Sequence, residues 1–379
     1  MSDKKKIKVL NIAVSWGSTS AIGGVSTYIM NNYRKMDRKN IEYYIISFHP
    51  HEAYFEEEFK TLGGKMIYSP IHSKFKLLRW FEMWRSVKKQ LRQYQFDVVY
   101  LHIGWALELI YLYFAYQARI PIRIAHAHIT THNYKPVKKW IHNMCIRVFE
   151  KYATVRLACS EEAAQSFFTG KVRSNKEYKI IKNCIEPEKF IFNEMVRKLK
   201  REELKIQTDC FLVGFIGRIS PAKNLPYIVN IFVEILIRNI NSKLLIMGDG
   251  AEKSKLIQLC KDKEIIDDVI FLGSCDCVNE YMWALDLFLM PSIMEGFGIT
   301  ALEAQAAALH CLASTAIPEQ AVVNQYLERI SLEESLDVWT NKALSYADGY
   351  QRKNCEKDIT NAGYDIRNSV TELEKIYKQ

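Results

Sequence analysis

Residues 211–224 read FLVGFIGRISPAKN. Small and apolar residues run unbroken from Phe211 to Ile216, Gly217 ends the run, and Arg218 and Lys223 follow five positions apart. A strand with no polar face is buried on both sides, as in a parallel sheet covered by helices. The loop after such a strand opens at the carboxyl edge of the sheet, where α/β proteins bind ligands. Two fixed cations there suit a diphosphate, since arginine can engage oxygens bidentately.

The same alternation recurs on both sides of this stretch. Downstream, a helical pattern over 224–238 leads to KLLIMGDG, one over 251–262 to DVIFLGSC, and one near 278–284 to LDLFLMPS and HCLAS. Beyond about residue 315 the strand signal fades, and from 331 the chain reads as helical with mixed charge. Upstream, IKVLNIAVSW, IEYYIISF, KMIYSP, FDVVYLHIG, IPIRIAHAHI and VRLACS alternate with helical stretches near 27–36, 74–94, 106–117 and 136–150. The pattern predicts two Rossmann-like, doubly wound parallel α/β domains facing a central cleft. The expected boundaries are 1–185, a polar linker over 186–206, a second domain over 207–355, and a C-terminal helix over 356–379 packing back on the first domain.

Composition excludes several classes. Hydrophobic residues make up 49% and charged residues 25% of the 379, as in soluble globular proteins. No apolar run approaches the roughly 18 residues of a membrane-spanning helix. MSDKKKIKVLNIAV leads from a basic patch straight into a strand-like run without a cleavage-site pattern, so a cytoplasmic location is expected. The nine cysteines are scattered, and the close pair Cys275 and Cys277 lacks a second pair at zinc spacing, so reduced thiols are expected. The net charge of +9 is uneven: residues 1–200 carry 34 Lys+Arg against 17 Asp+Glu, and residues 201–379 carry 18 against 26. A basic first half suits nucleic acid, an anionic membrane or a phosphorylated substrate, but no nucleic-acid-binding motif accompanies it.

Residues 294–308, MEGFGITALEAQAAA, hold Glu295 and Glu303 eight positions apart. In one continuous helix these carboxylates would stand about 80° apart around the axis and about 12 Å along it, too far for one small ligand. Gly296 and Gly298 favour a loop instead, with a helix starting near Gly298 or Ile299. Backbone amides at 296–299 then suit phosphate, and the carboxylates suit sugar hydroxyls. Gly23-Gly24, after the first strand and before a helix, is a further place for amides to approach an anion, though it is not a full GxGxxG.

In order along the chain, GGVSTYI, GFIGRISPAKN, LLIMGDG, VIFLG and EGFGITALEAQAA closely resemble glycosyltransferase family 4, of the GT-B fold, and most nearly its bacterial capsular and exopolysaccharide enzymes. The resemblance spans about residues 7–323 and implies a retaining transferase moving a sugar from a nucleotide diphosphate, with UDP favoured, to a glycan acceptor, lipid-linked by expectation. It implies that Glu295 contacts the donor sugar and Glu303 the ribose. Arg218 and Lys223 would hold the diphosphate, helped by amides at Gly296, Phe297, Gly298 and Ile299 and at Gly23 and Gly24. The family's acceptor-side histidine falls on His126 or His128 of RIAHAHIT, with His128 favoured as catalytic beside Glu295, Arg218 and Lys223. No metal or other cofactor is expected, and no Asp-x-Asp pair occurs. The chain departs from the family's PNGID segment at Lys182, Cys184 and Glu186, and Ala308 stands where a glycine is usual. A non-hydrolysing nucleotide-sugar epimerase of the same fold, a sugar phosphorylase, or a non-catalytic membrane- or polyanion-binding protein are the alternatives.

Residues 74–92, KFKLLRWFEMWRSVKKQLR, carry seven Lys/Arg and one Glu, interleaved with Trp80, Phe81 and Trp84. Such a basic aromatic helix suits peripheral contact with an anionic membrane, at the cytoplasmic face of the plasma membrane. Lys135, Lys138, Lys139, Trp140 and Arg147 could extend the patch.

Overall fold

The computed structural model describes residues 6–16, 24–49, 52–128, 134–238, 241–275 and 277–379. These form two compact units, one of Met1–Cys184 with Ile366–Gln379 and one of Ile185–Asp365. In the first, strands β1 (Ile7–Ile12), β2 (Ile41–Ser47), β3 (Lys65–Tyr68), β4 (Val98–Ile103), β5 (Ile122–Ala127), β6 (Val155–Ala158) and β7 (Lys179–Ile180) make one parallel sheet of order 3-2-1-4-5-6-7. In the second, β8 (Phe211–Ile216), β9 (Ser242–Met247), β10 (Val269–Gly273), β11 (Leu287–Met290), β12 (Cys311–Ser314) and β13 (Leu327–Ile330) run 10-9-8-11-12-13. Both orders reverse beside the first strand of the sheet, which sets a crevice at the carboxyl ends of β1 and β4 and of β8 and β11. Every residue of β4 and of β8 is buried, as their unbroken apolar runs predict.

Three sequence-based boundaries are corrected. The stretch 186–206 is no linker but an integral part of the second unit. Its helix Glu194–Glu203 is capped by Asn193, whose Oδ1 accepts from the amides of Met195 and Val196. Arg197 donates to the carbonyls of Trp283, Ala284 and Leu285, at the buried carboxyl end of the helix Val278–Ala284, and both Arg197 and buried Arg201 pair with Asp286. The stretch reads as a linker because its charges are numerous, yet two of its arginines serve as helix-end donors. The tail divides: the helix Glu356–Asn361 stays with the second unit, and Ile366–Tyr377 belongs to the first. There Ser369 Oγ donates to Asn32 Oδ1 at 2.7 Å, and the Tyr377 and Tyr43 hydroxyls lie 2.6 Å apart. Finally, β13 lies past the point where the strand signal fades, because its half-exposed Glu328 and Arg329 hide an edge strand.

Candidate active site

In the second unit, the loop after β8 carries Arg218, then a short turn Pro221–Lys223, then Asn224 in the left-handed region at φ 55°. This loop is fixed from two sides. Gly248, at the end of β9, lies so close that a Cβ there would stand 1.9 Å from the Gly217 carbonyl oxygen. Ala222 accepts from the amide of Ile293 at 2.8 Å, joining the loop to the segment after β11. The two segments also meet through charge, because Lys223 Nζ pairs with the Glu295 carboxylate, both side chains being largely shielded. Arg218 is half-buried and makes no ion pair or hydrogen bond among the described residues.

The helix expected near Gly298 runs Ile299–Ala306, and Gly298 occupies its first cap at φ 85°, a conformation that costs a residue with a Cβ about 1–2 kcal/mol. Gly296 and Gly298 thus bring backbone amides beside the Lys223–Glu295 pair, that of Gly296 donating to Glu295 Oε1 at 3.3 Å, with the helix end behind them. Phe297 contributes its backbone alone. Its ring is buried and packs 5.2 Å from Tyr364, so the side chain anchors the loop and does not face a ligand. Glu303 lies in the second turn, half-buried, and no described residue donates a hydrogen bond to its carboxyl. Burial pushes that carboxyl up to about 8, so it is mostly protonated at neutral pH. At the far end, Ala308 takes the left-handed turn at φ 50° that glycine usually fills, and its amide and that of Leu309 satisfy the Gln305 and Ala304 carbonyls.

In the first unit Gly24 begins the helix Gly24–Lys35, three residues before the expected start, and Gly23 lies outside the described residues. The histidines stand at the carboxyl edge of the sheet. His102 of β4 pairs in register with His126 of β5, so both rings leave the same face, and His128 follows two positions on. That face is covered by the helix Gly24–Lys35, whose Tyr28 packs edge-on to all three rings. His126 is therefore fully enclosed, with Nδ1 2.7 Å from the Tyr100 hydroxyl, and does not face solvent as an acceptor-side residue would. His128 keeps 6% of its surface and lies 2.9 Å from His102 Nδ1, and His102 Nε2 reaches Asn11 Oδ1 at 3.1 Å. Burial holds His102 and His126 well below the ordinary histidine range and His128 down to about 3, so all three are neutral. One nitrogen from each lies within 4.8 Å of the others, a metal-like spacing, but the group includes no carboxylate to balance a cation.

Asn11, Tyr28, Tyr100 and His102 belong to this cluster and escape the sequence reading. Their signal was positional: each of Asn11, His102 and His126 is the next-to-last residue of its strand, so superposing the strand ends would have gathered them.

The basic helix spans Lys76–Gln93. Trp80 and Trp84 turn inward, packing on the first core and on each other at 6.5 Å. The outward apolar residues are Phe75, Leu77, Leu78 and Phe81, 53–85% exposed, interleaved with Lys74, Lys76 and Arg79. On the helix Pro136–Phe149, Val137, Trp140, Met144 and Val148 are also exposed. No helix among the described residues is long and apolar enough to cross a membrane. Seven of the nine cysteines are buried.

Two parallel Rossmann-like units, each with its crevice at the carboxyl edge of the sheet, are the units of the GT-B fold. Comparison with known proteins gives the family. Residues 22–189 match the model for Glycosyltransferase Family 4 and residues 196–337 that for Glycosyl transferases group 1, together most of the chain. The protein belongs to this glycosyltransferase family. It is 28% identical to EpsF of Bacillus subtilis (strain 168), across 94% of this chain and 93% of that one. It is 23% identical to the capsular polysaccharide biosynthesis glycosyltransferase CapH of Staphylococcus aureus, across 94% and 95%. Among solved structures, Anabaena Alr3699/HepE in complex with UDP and glucose shares the fold with a TM-score of 0.77 at 15% identity, covering 97% of this chain and 98% of that one.

Proposed function

We propose that the protein transfers a hexose from a nucleotide diphosphate sugar, UDP-linked, to a glycan on a lipid carrier, with retention at the sugar carbon and without a metal ion. The observation that carries this reading is the Lys223–Glu295 pair beside the amides of Gly296 and Gly298 at the carboxyl edge of the second sheet. It supplies in one place a cation for a diphosphate, backbone donors for its oxygens, and an acceptor for sugar hydroxyls. That the Anabaena structure holds UDP and glucose supports the same class of donor.

In this mechanism Arg218 and Lys223 stabilise the charge that develops on the departing diphosphate. A cation aimed at such developing charge contributes on the order of 3 kcal/mol to the barrier. Diphosphate binding draws Lys223 from Glu295, and the freed carboxylate turns to the sugar. Glu303 meets the ribose, and His128 stands on the acceptor side. The acceptor hydroxyl attacks the face from which the diphosphate departs. The exposed apolar and basic residues of 74–81 support contact with the anionic cytoplasmic face of the plasma membrane, where a lipid-linked acceptor would be met.

A thermal-shift panel of nucleotide sugars, with and without EDTA, tests the donor and metal assignments. Stabilisation by a UDP-sugar that EDTA leaves unchanged is expected. No response to any nucleotide, or isomerisation of the donor without an acceptor, would replace this reading with a binding protein or an epimerase.

A further inference from the structure

The hydrogen bonds around His128 have a polarity that can be assigned atom by atom. The Tyr44 carbonyl only accepts, so the Asn11 side-chain atom 3.3 Å from it is Nδ2, which turns Oδ1 toward His102 Nε2 at 3.1 Å. An amide oxygen also only accepts, so His102 Nε2 carries the proton. His102 is neutral by burial, which leaves its Nδ1 bare and makes it the acceptor across the 2.9 Å contact with His128 Nε2. His128 is neutral for the same reason, so its one proton sits on Nε2. Its Nδ1 holds a lone pair, for which no described residue is a partner.

The neighbouring ring is set by its orphan nitrogen. His126 Nε2 is buried without a partner among the described residues, and a buried N–H left unpaired is rarer than a bare lone pair, so the proton sits on Nδ1. His126 Nδ1–H then donates to the Tyr100 hydroxyl at 2.7 Å, whose own proton is free to turn to the Tyr28 hydroxyl 3.1 Å away. The two adjacent histidines thus take opposite tautomers. The titratable groups facing them, Tyr28, Tyr100 and His102, are all neutral and impose no competing charge.

We infer that Asn11 and His102 are positioning residues that hold His128 as its Nε2–H tautomer, so that His128 Nδ1 accepts a hydrogen bond from a sugar hydroxyl of the substrate and cannot donate one to a phosphate. The tautomer follows from the hydrogen bonds together with the neutrality of the buried rings, whereas the hydroxyl contact rests on the proposed acceptor-side role of His128. Partners that fix the tautomer of a metal-ligating histidine are worth about ten- to a hundredfold in activity, and the same scale is expected of Asn11 and His102 here.

Long-range proton–nitrogen NMR on the full chain labelled with 15N-histidine reads both tautomers directly. His128 protonated on Nε2 and His126 on Nδ1 are expected. Asn11→Leu removes the acceptor, and should give His128 a mixed tautomer and lower kcat/KM by about tenfold. His128 protonated on Nδ1 in the unaltered protein would overturn the assignment. So would Asn11→Leu with a scrambled tautomer and unchanged kcat/KM, since the relay would then position nothing. If Asn11→Leu does not fold, the unaltered protein still decides, because His128 protonated on Nδ1 there refutes the relay. Should the tautomers be as expected while His128→Ala retains full activity, the hydroxyl contact fails and the acceptor-side role fails with it.

Discussion

Replacing Glu303 by glutamine separates the cost of burying its carboxyl from its proposed use. In the folded protein burial raises this group from 4.5 to about 8. Between those values the folded state holds a proton that the unfolded chain releases, so stability falls as pH rises through that window and levels off above it. A shift of this size corresponds to about 5 kcal/mol at pH above both values, and the water that still reaches a half-buried carboxyl lowers it to about 2–3 kcal/mol. Glutamine has nearly the same shape as the protonated acid and does not titrate. Urea denaturation at pH 5, 7 and 9 should therefore show Glu303→Gln gaining about 2–3 kcal/mol on the unaltered protein between the two ends. The same proton reports on binding. If ribose hydroxyls donate to the carboxylate, nucleotide binding at pH 7 releases close to one proton. Calorimetry in two buffers of different ionisation enthalpy measures that release, and Glu303→Gln should abolish it. Parallel stability curves, or equal proton release from both proteins, would refute the reasoning.

Lys223→Ala or Arg218→Ala should lower turnover by about a hundred- to a thousandfold, with little loss of folding stability; near-normal turnover in both would remove the diphosphate assignment. Gly248→Ala forces a Cβ against the Gly217 carbonyl at φ 137°, and should cost about 3 kcal/mol or more while displacing the Arg218 loop, seen as a lower urea midpoint. The three buried histidines have folded-state values below their unfolded ones, so their contribution is present above pH 6.5 and lost as pH falls; an unfolding midpoint that does not decline from pH 7 to 5 would contradict this. Leu77→Glu with Phe81→Glu should abolish cosedimentation with vesicles rich in anionic lipid and leave the thermal midpoint within about 2 °C, since both side chains are exposed. Undiminished cosedimentation would exclude this face.

Much of the fold was legible because parallel strands buried on both faces write continuous apolar runs. FLVGFI and DVVYLHI needed no partner to be recognised, whereas LERI at the edge of the second sheet did, because half of its residues meet water. The loop bearing Glu295 was legible through Gly296 and Gly298, and so was the helix that begins at Ile299. The ion pair between Lys223 and Glu295 was not. The two residues lie 72 positions apart, and only the adjacency of β8 and β11 joins their loops. The histidine cluster was hidden for a related reason: periodicity tells which side of a strand a residue leaves by, while register between strands decides which residues meet. The helix Glu194–Glu203 shows the opposite error, in which a charged surface pattern concealed Arg197 and Arg201 reaching inward to main-chain carbonyls.

The helix Ile366–Tyr377 closes the core of the first unit, although the whole second unit lies between them in sequence. During synthesis the ribosome delivers β1 to β7 long before this helix exists. Leu373, Ile376 and Tyr377 then complete a hydrophobic layer whose other members have been waiting for the length of an entire domain. The second unit, contiguous from Ile185 to Asp365, can mature as it emerges. The first cannot, and its apolar face near Tyr43 and Tyr100 is the surface a chaperone would meet on the nascent chain.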